Sequence, residues 1–395
     1  MAPPPSAPGR PSSPGGRARR PDRALAVVVC LPGLEDVVAG ELNAIGIASR
    51  PAGTGARAAR MTDRQLYLAN VTLASATRVL VDAGSITARS FPVLEERLSE
   101  VDLSPWIERG RPVRFRVSAH RSRLQHTGAV EERVRRVMGL GPPSEADEPD
   151  AALVVVRIDR DELSFRIDSS GSPLHHRGWR GRAAKAPLRE TIAAAALTAS
   201  GWAPGLPLVD PFCGSGTLAI EAARRVAGIA PGAGRSFAFE RWPSFAPGTW
   251  ASVQATVTTQ EVASTGDAPI VARDRDAGAA AATRENAERA GVAHLVTVRE
   301  GAVSAAAPPD GIDRPGWIVS NPPWGGRLSG GGDLRDLYAR LGQVATGAFS
   351  GWGVALLVAD TRLARATGLA GDVRLHTRAG GTPVDLVVTE PAPRP

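Results

Sequence analysis

The chain has 395 residues, enough for two or three cores, and 43% of them are apolar, the share expected of a chain that folds by burial. No run approaches the roughly 18 consecutive apolar residues that a membrane-crossing helix needs, so no membrane partner is expected. The formal charge is +7, but residues 1–23 hold five arginines and one aspartate and supply +4 of it, so net charge alone does not name a polyanionic partner.

Residues 1–23, rich in Pro, Ser, Gly and Arg, have almost nothing to bury and read as a disordered tail. The run Ala24 to Leu34 after these arginines has the outline of a secretory signal. Glu35, Asp36 and an amphipathic pattern follow it directly, however, which reads as a buried strand entering a helix with Leu34, Val37, Val38, Leu42 and Ile45 on one face. The two cysteines, Cys30 and Cys213, stand in no metal-ligand spacing, so a reducing cytoplasm, no disulfide and no metal are expected. Short strand and helix candidates continue to about residue 170, an α+β pattern. Lys185 is the sole lysine of the chain. Arginine forks suit phosphate and base edges, but a GC-rich genome produces the same bias, so location has to decide.

Two basic segments have such a location. Between Arg109 and Arg123 there are six arginines and no acid, Arg114, Arg116, Arg121 and Arg123 among them. On a strand and its following loop they form a phosphate-tracking stripe or a merely solvated face. The second runs from His175 through Arg177, Trp179, Arg180 and Arg182 to Lys185, at a domain junction where Trp179 is as suited to interdomain packing as to stacking on a base. The acidic, proline-containing piece Gly141 to Asp150 reads as a loop.

After Pro187 helices alternate with short apolar strands: Leu206 to Asp210, Pro269 to Asp274, His294 to Glu300, Gly316 to Asn321 and Val354 to Asp360. Such alternation implies a parallel sheet with crossover helices. One of those helices carries Leu334, Leu337, Tyr338, Leu341 and Val344 at three-and-four spacing. Two strand runs around Gly380 and Gly381 predict a terminal hairpin adding an antiparallel edge.

LVDPFCGSGTLAIEAA, Leu208 to Ala223, is a strand, a glycine-bearing turn and a helix start. Gly214 and Gly216 let backbone approach a ligand at the strand end, and Asp210 can accept from an ammonium such as a methionine-bearing cofactor supplies. The spacing is neither a dinucleotide fingerprint nor a phosphate loop. Asp274 ends the next strand, placed for ribose hydroxyls, and Asp276 reads as a helix N-cap.

In SNPPWGGRL, Ser320 to Leu328, Pro322 and Pro323 forbid strand or helix and stiffen a loop at a strand end. An aromatic amine is a poor nucleophile because its lone pair is delocalised into the ring. The Asn321 side-chain oxygen and the Pro322 carbonyl can hold its two N–H groups and turn the lone pair toward a methyl donor, while Trp324 stacks on the base. Catalysis of this kind is mainly positioning.

These motifs, in this order, resemble class I S-adenosylmethionine-dependent amino-methyltransferases. Ser169 to Leu197 looks like the junction of the THUMP-domain RNA guanine-N2-methyltransferases, and Ile229 to Trp242 resembles that family's insertion. The resemblance implies an α/β protein with a seven-stranded Rossmann-like methyltransferase sheet behind an N-terminal α+β, ferredoxin-like plus THUMP, RNA-binding module. The implied divisions are a ferredoxin-like domain at 24–75, THUMP at 76–170, a junction at 171–200 and the catalytic domain at 201–395.

S-adenosyl-L-methionine is then held by Asp210, Cys213, Gly214, Ser215, Gly216, Thr217, Asp274 and Asn321, and the guanine amine by Asn321, Pro322, Pro323 and Trp324. Glu300 stands in for the acid that relatives carry after the third strand, where this chain has Ala302. Arg114, Arg116, Arg121, Arg123, His126, Thr127, Arg177, Trp179 and Arg180 are the implied RNA contacts. A monomer is expected, acting on large-subunit ribosomal RNA. Transfer RNA, an amino-methylated DNA or protein, and a non-catalytic RNA-binding role are the alternatives.

Overall fold

The computed structural model describes residues 22–145, 151–181, 187–262, 268–324 and 334–392. The tail 1–21, the acidic half of the expected loop (146–150), Arg182 with Lys185, and Gly325 to Leu328 lie outside those residues. The chain forms two compact units. One gathers Ala83–Phe165 and Arg241–Phe245; the other gathers Arg23–Asp82, Arg166–Glu240 and the chain from Ala246 onward.

In chain order, the first part runs β1 (Ala24–Cys30), α1 (Glu35–Ala44), β2 (Arg50–Pro51), β3 (Ala56–Met61), α2 (Asp63–Thr72), β4 (Ala76–Thr87), α3 (Phe91–Arg97), β5 (Val113–His120), α4 (Thr127–Met138), β6 (Ala152–Asp159) and β7 (Glu162–Asp168). These strands make a seven-stranded sheet in the order β2-β3-β1-β4-β7-β6-β5. β1, with its unbroken apolar run, lies between β3 and β4, antiparallel to both. Residues on both of its faces are buried or half-buried, so the run has no reason to alternate. On α1, Val38 and Leu42 are buried as expected and Leu34 is buried just ahead of it, whereas Val37 and Ile45 are only half-buried. Thr62 and Gln65 close a reciprocal capping box at the start of α2.

The remainder runs α5 (Glu190–Ala199), β8 (Leu208–Asp210), α6 (Thr217–Val226), α7 (Pro247–Val262), β9 (Ile270–Asp274), α8 (Ala277–Arg289), β10 (Val296–Glu300), β11 (Trp317–Ser320), α9 (Leu334–Thr346), β12 (Gly353–Val358), α10 (Thr361–Ala366), β13 (Asp372–Ala379) and β14 (Thr382–Thr389). Its seven strands lie in the order β10-β9-β8-β11-β12-β14-β13. The pairs from β10 to β12 are parallel, and the β13–β14 hairpin adds antiparallel to β12, the edge that the double glycine predicted. Tyr338 and Leu341 of α9 are fully buried on Val209, Ile318, Val354 and Leu356, with Leu337 and Val344 packed at the margin of that core.

Residues of the first sheet enter this same unit. Tyr67 of α2 stacks on Phe239 with ring centres 4.2 Å apart, and its hydroxyl accepts the Ala246 N–H at 3.1 Å. Gly33, at φ +88°, lies so close to β13 that a Cβ there would stand 1.6 Å from the His376 carbonyl oxygen.

Candidate active site

Chain order reverses at β8, which pairs with β9 on one side and β11 on the other. A ligand crevice forms at such a reversal, beyond the carboxyl ends of the strands. β8 delivers Asp210 there, 1% exposed, and β11 delivers Ser320, fully buried. The Ser320 hydroxyl donates to Asp210 Oδ1 at 2.5 Å, and the Phe212 N–H donates to the same oxygen at 3.2 Å. Among the described residues no cation pairs with this carboxylate. Burial pushes its pKa up to about 7, against the pull of those two hydrogen bonds and with a further push from the charge of Asp274. A buried acid without a cation fits a ligand that brings an ammonium.

The turn after β8 needs both of its glycines, since Gly214 and Gly216 stand at φ +56° and +88°. It is held from α8. Thr283 Oγ1 donates to the Gly214 carbonyl at 2.9 Å and the Asn286 amide donates to the Ser215 carbonyl at 3.1 Å. A Cβ on Gly216 would meet Thr283 Cγ2 at 2.7 Å. Asp274 accepts the Gly214 N–H at 2.9 Å and the Asp276 N–H at 3.0 Å and is half-buried, so its outer lone pairs remain to accept hydroxyls. Asp276 caps α8 through the Ala279 N–H at 2.7 Å. Cys213, Ser215 and Thr217 are buried, and burial raises the Cys213 thiol far above its ordinary range. Glu300 is exposed at the end of β10, in register with Asp274.

The loop after β11 starts at Asn321, next to Ser320 and therefore one residue from the partner of Asp210. Trp324 Nε1 donates to Asn321 Oδ1 at 2.6 Å, which orients the amide and leaves that oxygen a second lone pair. The buried Tyr338 hydroxyl donates to the Pro323 carbonyl at 3.2 Å. With Pro323 so engaged, the Pro322 carbonyl is the backbone acceptor beside Asn321. Sequence reasoning missed Ser320, Thr283, Asn286 and Tyr338. The available signal was weak: Thr283 and Asn286 are polar residues three apart on an alanine helix, and the others read as ordinary strand and core positions.

The expected RNA contacts divide. In the unit of Ala83–Phe165, Arg116, Arg121, Arg123 and His126 are exposed and Arg114 and Thr127 half-buried, along β5 and the loop entering α4. The junction residues turn inward instead. Arg177 is 4% exposed, paired with Glu221 and donating to the Leu174 and Ala74 carbonyls. Trp179 is 2% exposed, and Arg180 is bound to Glu190 and the glycine turn. The guanidinium N–H groups of Arg177 and Arg180 are spent on internal partners and the Trp179 ring is buried beneath Arg180, so the RNA contact read for Arg177, Trp179 and Arg180 is corrected to a structural role.

Residues 177–387 match the family described as "RMKL-like, methyltransferase domain". The chain belongs to the RMKL-like methyltransferase family. Residues 26–80 of this methyltransferase also match the RlmL ferredoxin-like domain. It is 34% identical over 358 residues, 85% of the chain, to the ribosomal RNA large subunit methyltransferase K/L of Syntrophotalea carbinolica, and it spans about half (49%) of that relative's length. Two solved structures share its architecture over nearly the whole chain. A methyltransferase complexed with SAH, SMU.472, has 25% identity and a TM-score of 0.84 over 95% of this chain and 100% of its own. A chain from Listeria monocytogenes described as an N6-adenine-specific DNA methylase has 26% identity and a TM-score of 0.81 over 93% and 97%. Among the described residues no helix is long and apolar enough to cross a membrane, and no group of His, Cys, Asp or Glu is placed to hold a metal.

Proposed function

We propose that this methyltransferase moves a methyl group from S-adenosylmethionine to the exocyclic amine of a guanosine in RNA, with large-subunit ribosomal RNA as the substrate. The observation that carries the reading is the join at the sheet reversal. Asp210, a buried acid with no cation beside it among the described residues, is tied by Ser320 to the strand end that presents Asn321 and the Pro322 carbonyl. The curated relatives, of which this chain spans about half, support the RNA class by their printed names.

The cofactor, when bound, supplies an electrophilic methyl group on a sulfonium. Asp210 holds the ammonium, Asp274 the ribose hydroxyls, and the turn Cys213 to Thr217 lets backbone come close to the ligand. Glu300 is the remaining acid beside Asp274 and takes the adenine end. Asn321 Oδ1 and the Pro322 carbonyl each accept one hydrogen of the guanine amine, which fixes the nitrogen lone pair in one direction. Trp324 covers the face of the extracted base, a contact worth about 1–3 kcal/mol. After transfer the amine is a cation and gives its proton to water, so no strong general base is needed. Arg114, Arg116, Arg121, Arg123, His126 and Thr127 grip the RNA backbone as part of a THUMP module over residues 76–170. The protein acts as a cytoplasmic monomer.

Tritiated methyl transfer from S-adenosylmethionine to total RNA, DNA and protein tests the substrate class directly. RNA alone should be labelled, and Asn321→Ala should lose that labelling by at least about 100-fold while still binding S-adenosylhomocysteine. Labelling of DNA in place of RNA would favour the adenine methylase reading, and undiminished transfer by the Asn321 variant would refute the mechanism.

A further inference from the structure

We infer that Arg180 is a positioning residue for the cofactor-binding turn. This rests on the reading above, that the turn Gly214 to Thr217 holds S-adenosylmethionine. The guanidinium makes four hydrogen bonds to four different acceptors. Nε donates to Glu190 Oε1 at 2.8 Å, and one terminal nitrogen donates to the Leu188 carbonyl and to Thr217 Oγ1, each at 3.0 Å. The other reaches Ser215 Oγ at 3.3 Å. Below it lies the Trp179 ring, 5.2 Å from the guanidinium carbon.

The neighbouring residue adds a second tie. The Gly181 N–H donates to Asn286 Oδ1 at 3.0 Å, and the Asn286 amide donates to the Ser215 carbonyl at 3.1 Å. Ser215 is therefore held at its hydroxyl by Arg180 and at its carbonyl through Asn286, both from one short segment that precedes the strand.

A brace of this kind answers a physical need. A turn with two left-handed glycines is soft, because glycine samples positive and negative φ almost equally. Its geometry has to be imposed from outside if backbone is to meet a ligand at a fixed distance. A planar fork with five donors can satisfy several acceptors at set angles, which a lysine ammonium cannot do. Glu190, 4% exposed, fixes the far end of the fork through its charge. Arg180 thus presets the turn that the ligand meets and does not itself need to touch ligand or RNA.

Replacing Arg180 alone by an apolar residue leaves Glu190 buried without its cation, which destabilises any fold. The test therefore uses Arg180→Lys and the paired variant Arg180→Met with Glu190→Met, each in the full chain. Calorimetric binding of S-adenosylhomocysteine, melting temperature, backbone amide exchange at Gly214 to Gly216 and filter binding of ribosomal RNA are measured on all. Both variants should fold. The dissociation constant for S-adenosylhomocysteine should rise roughly ten-fold, the scale of one hydrogen bond to a charged group, with faster exchange in the turn and unchanged RNA affinity. In turnover, KM for S-adenosylmethionine should rise while kcat holds.

Folded variants that bind S-adenosylhomocysteine as tightly as the wild type would overturn the inference. So would a loss of RNA affinity with cofactor affinity intact. Should the paired variant fail to fold, Arg180→Lys decides by the same criteria. A wild type that binds ribosomal RNA but no S-adenosylhomocysteine would sink the cofactor reading and this inference with it, whereas RNA labelling by a variant with unaltered binding would remove the inference alone.

Discussion

The protonation of Asp210 should make cofactor binding depend steeply on pH. Its carboxyl is buried, has no cation among the described residues and titrates near pH 7 in the free protein. An ammonium placed against it returns it to the ordinary carboxylate range, so the bound state requires the ionised form. With a pKa of about 7, roughly nine-tenths of the free molecules are ionised at pH 8 and roughly one-tenth at pH 6. The affinity for S-adenosylhomocysteine should therefore fall about ten-fold between those values, with release approaching one proton per binding event at the lower pH. Calorimetric titration in two buffers of different ionisation enthalpy measures both quantities. Asp210→Asn should bind weakly with a flat profile. A wild-type affinity unchanged from pH 8 to pH 6, or a variant that keeps the slope, would refute the reasoning. Stability runs the other way: because the folded pKa lies above the unfolded 3.8, the acid's contribution is full below about pH 4 and is lost as pH rises through 7. Asp210→Asn should accordingly raise the melting temperature at pH 8 and leave it nearly unchanged at pH 4.

Gly216→Ala places a Cβ 2.7 Å from Thr283 Cγ2 at φ +88°, and should cost about 1–3 kcal/mol by denaturant titration; an unchanged midpoint would show that the turn relaxes freely. Tyr338→Phe removes the donor on the Pro323 carbonyl and should lower kcat several-fold with S-adenosylhomocysteine affinity intact, whereas a change in cofactor affinity alone would contradict its placement. Replacing Arg121 and Arg123 together by Ala should reduce the slope of log affinity for single-stranded RNA against log salt by about 1.4, and an unaltered slope would move the binding face elsewhere.

The glycine turn after β8 and the proline loop after β11 were legible as structure because their signals are local. A glycine pair after a strand, a proline pair after another and the residues beside them are neighbours in sequence as well as in space. Alternating helices and short strands carried the sheet, and the double glycine at 380 and 381 carried its antiparallel edge. What stayed hidden depends on direction. Arg177 and Arg180 look the same in sequence whether they face water or a buried glutamate, and their partners Glu221 and Glu190 lie 44 and 10 residues away. Ser320 was invisible for the same reason, since its partner Asp210 is 110 residues distant and becomes adjacent only through strand pairing. Tyr338 was read for its ring, and its hydroxyl needed the three-dimensional fold.

The bare backbone at Gly33 has a consequence for how the catalytic unit lives and dies. Because that residue rests directly against the closing hairpin, and Tyr67 fills a slot beside Phe239, the ferredoxin-like segment is cemented into the methyltransferase instead of hanging from it. Excising it would strip aromatic surface bare and leave the hairpin without its lid. Heat should therefore melt the two together, and natural selection cannot readily swap one for a different module without rebuilding the other.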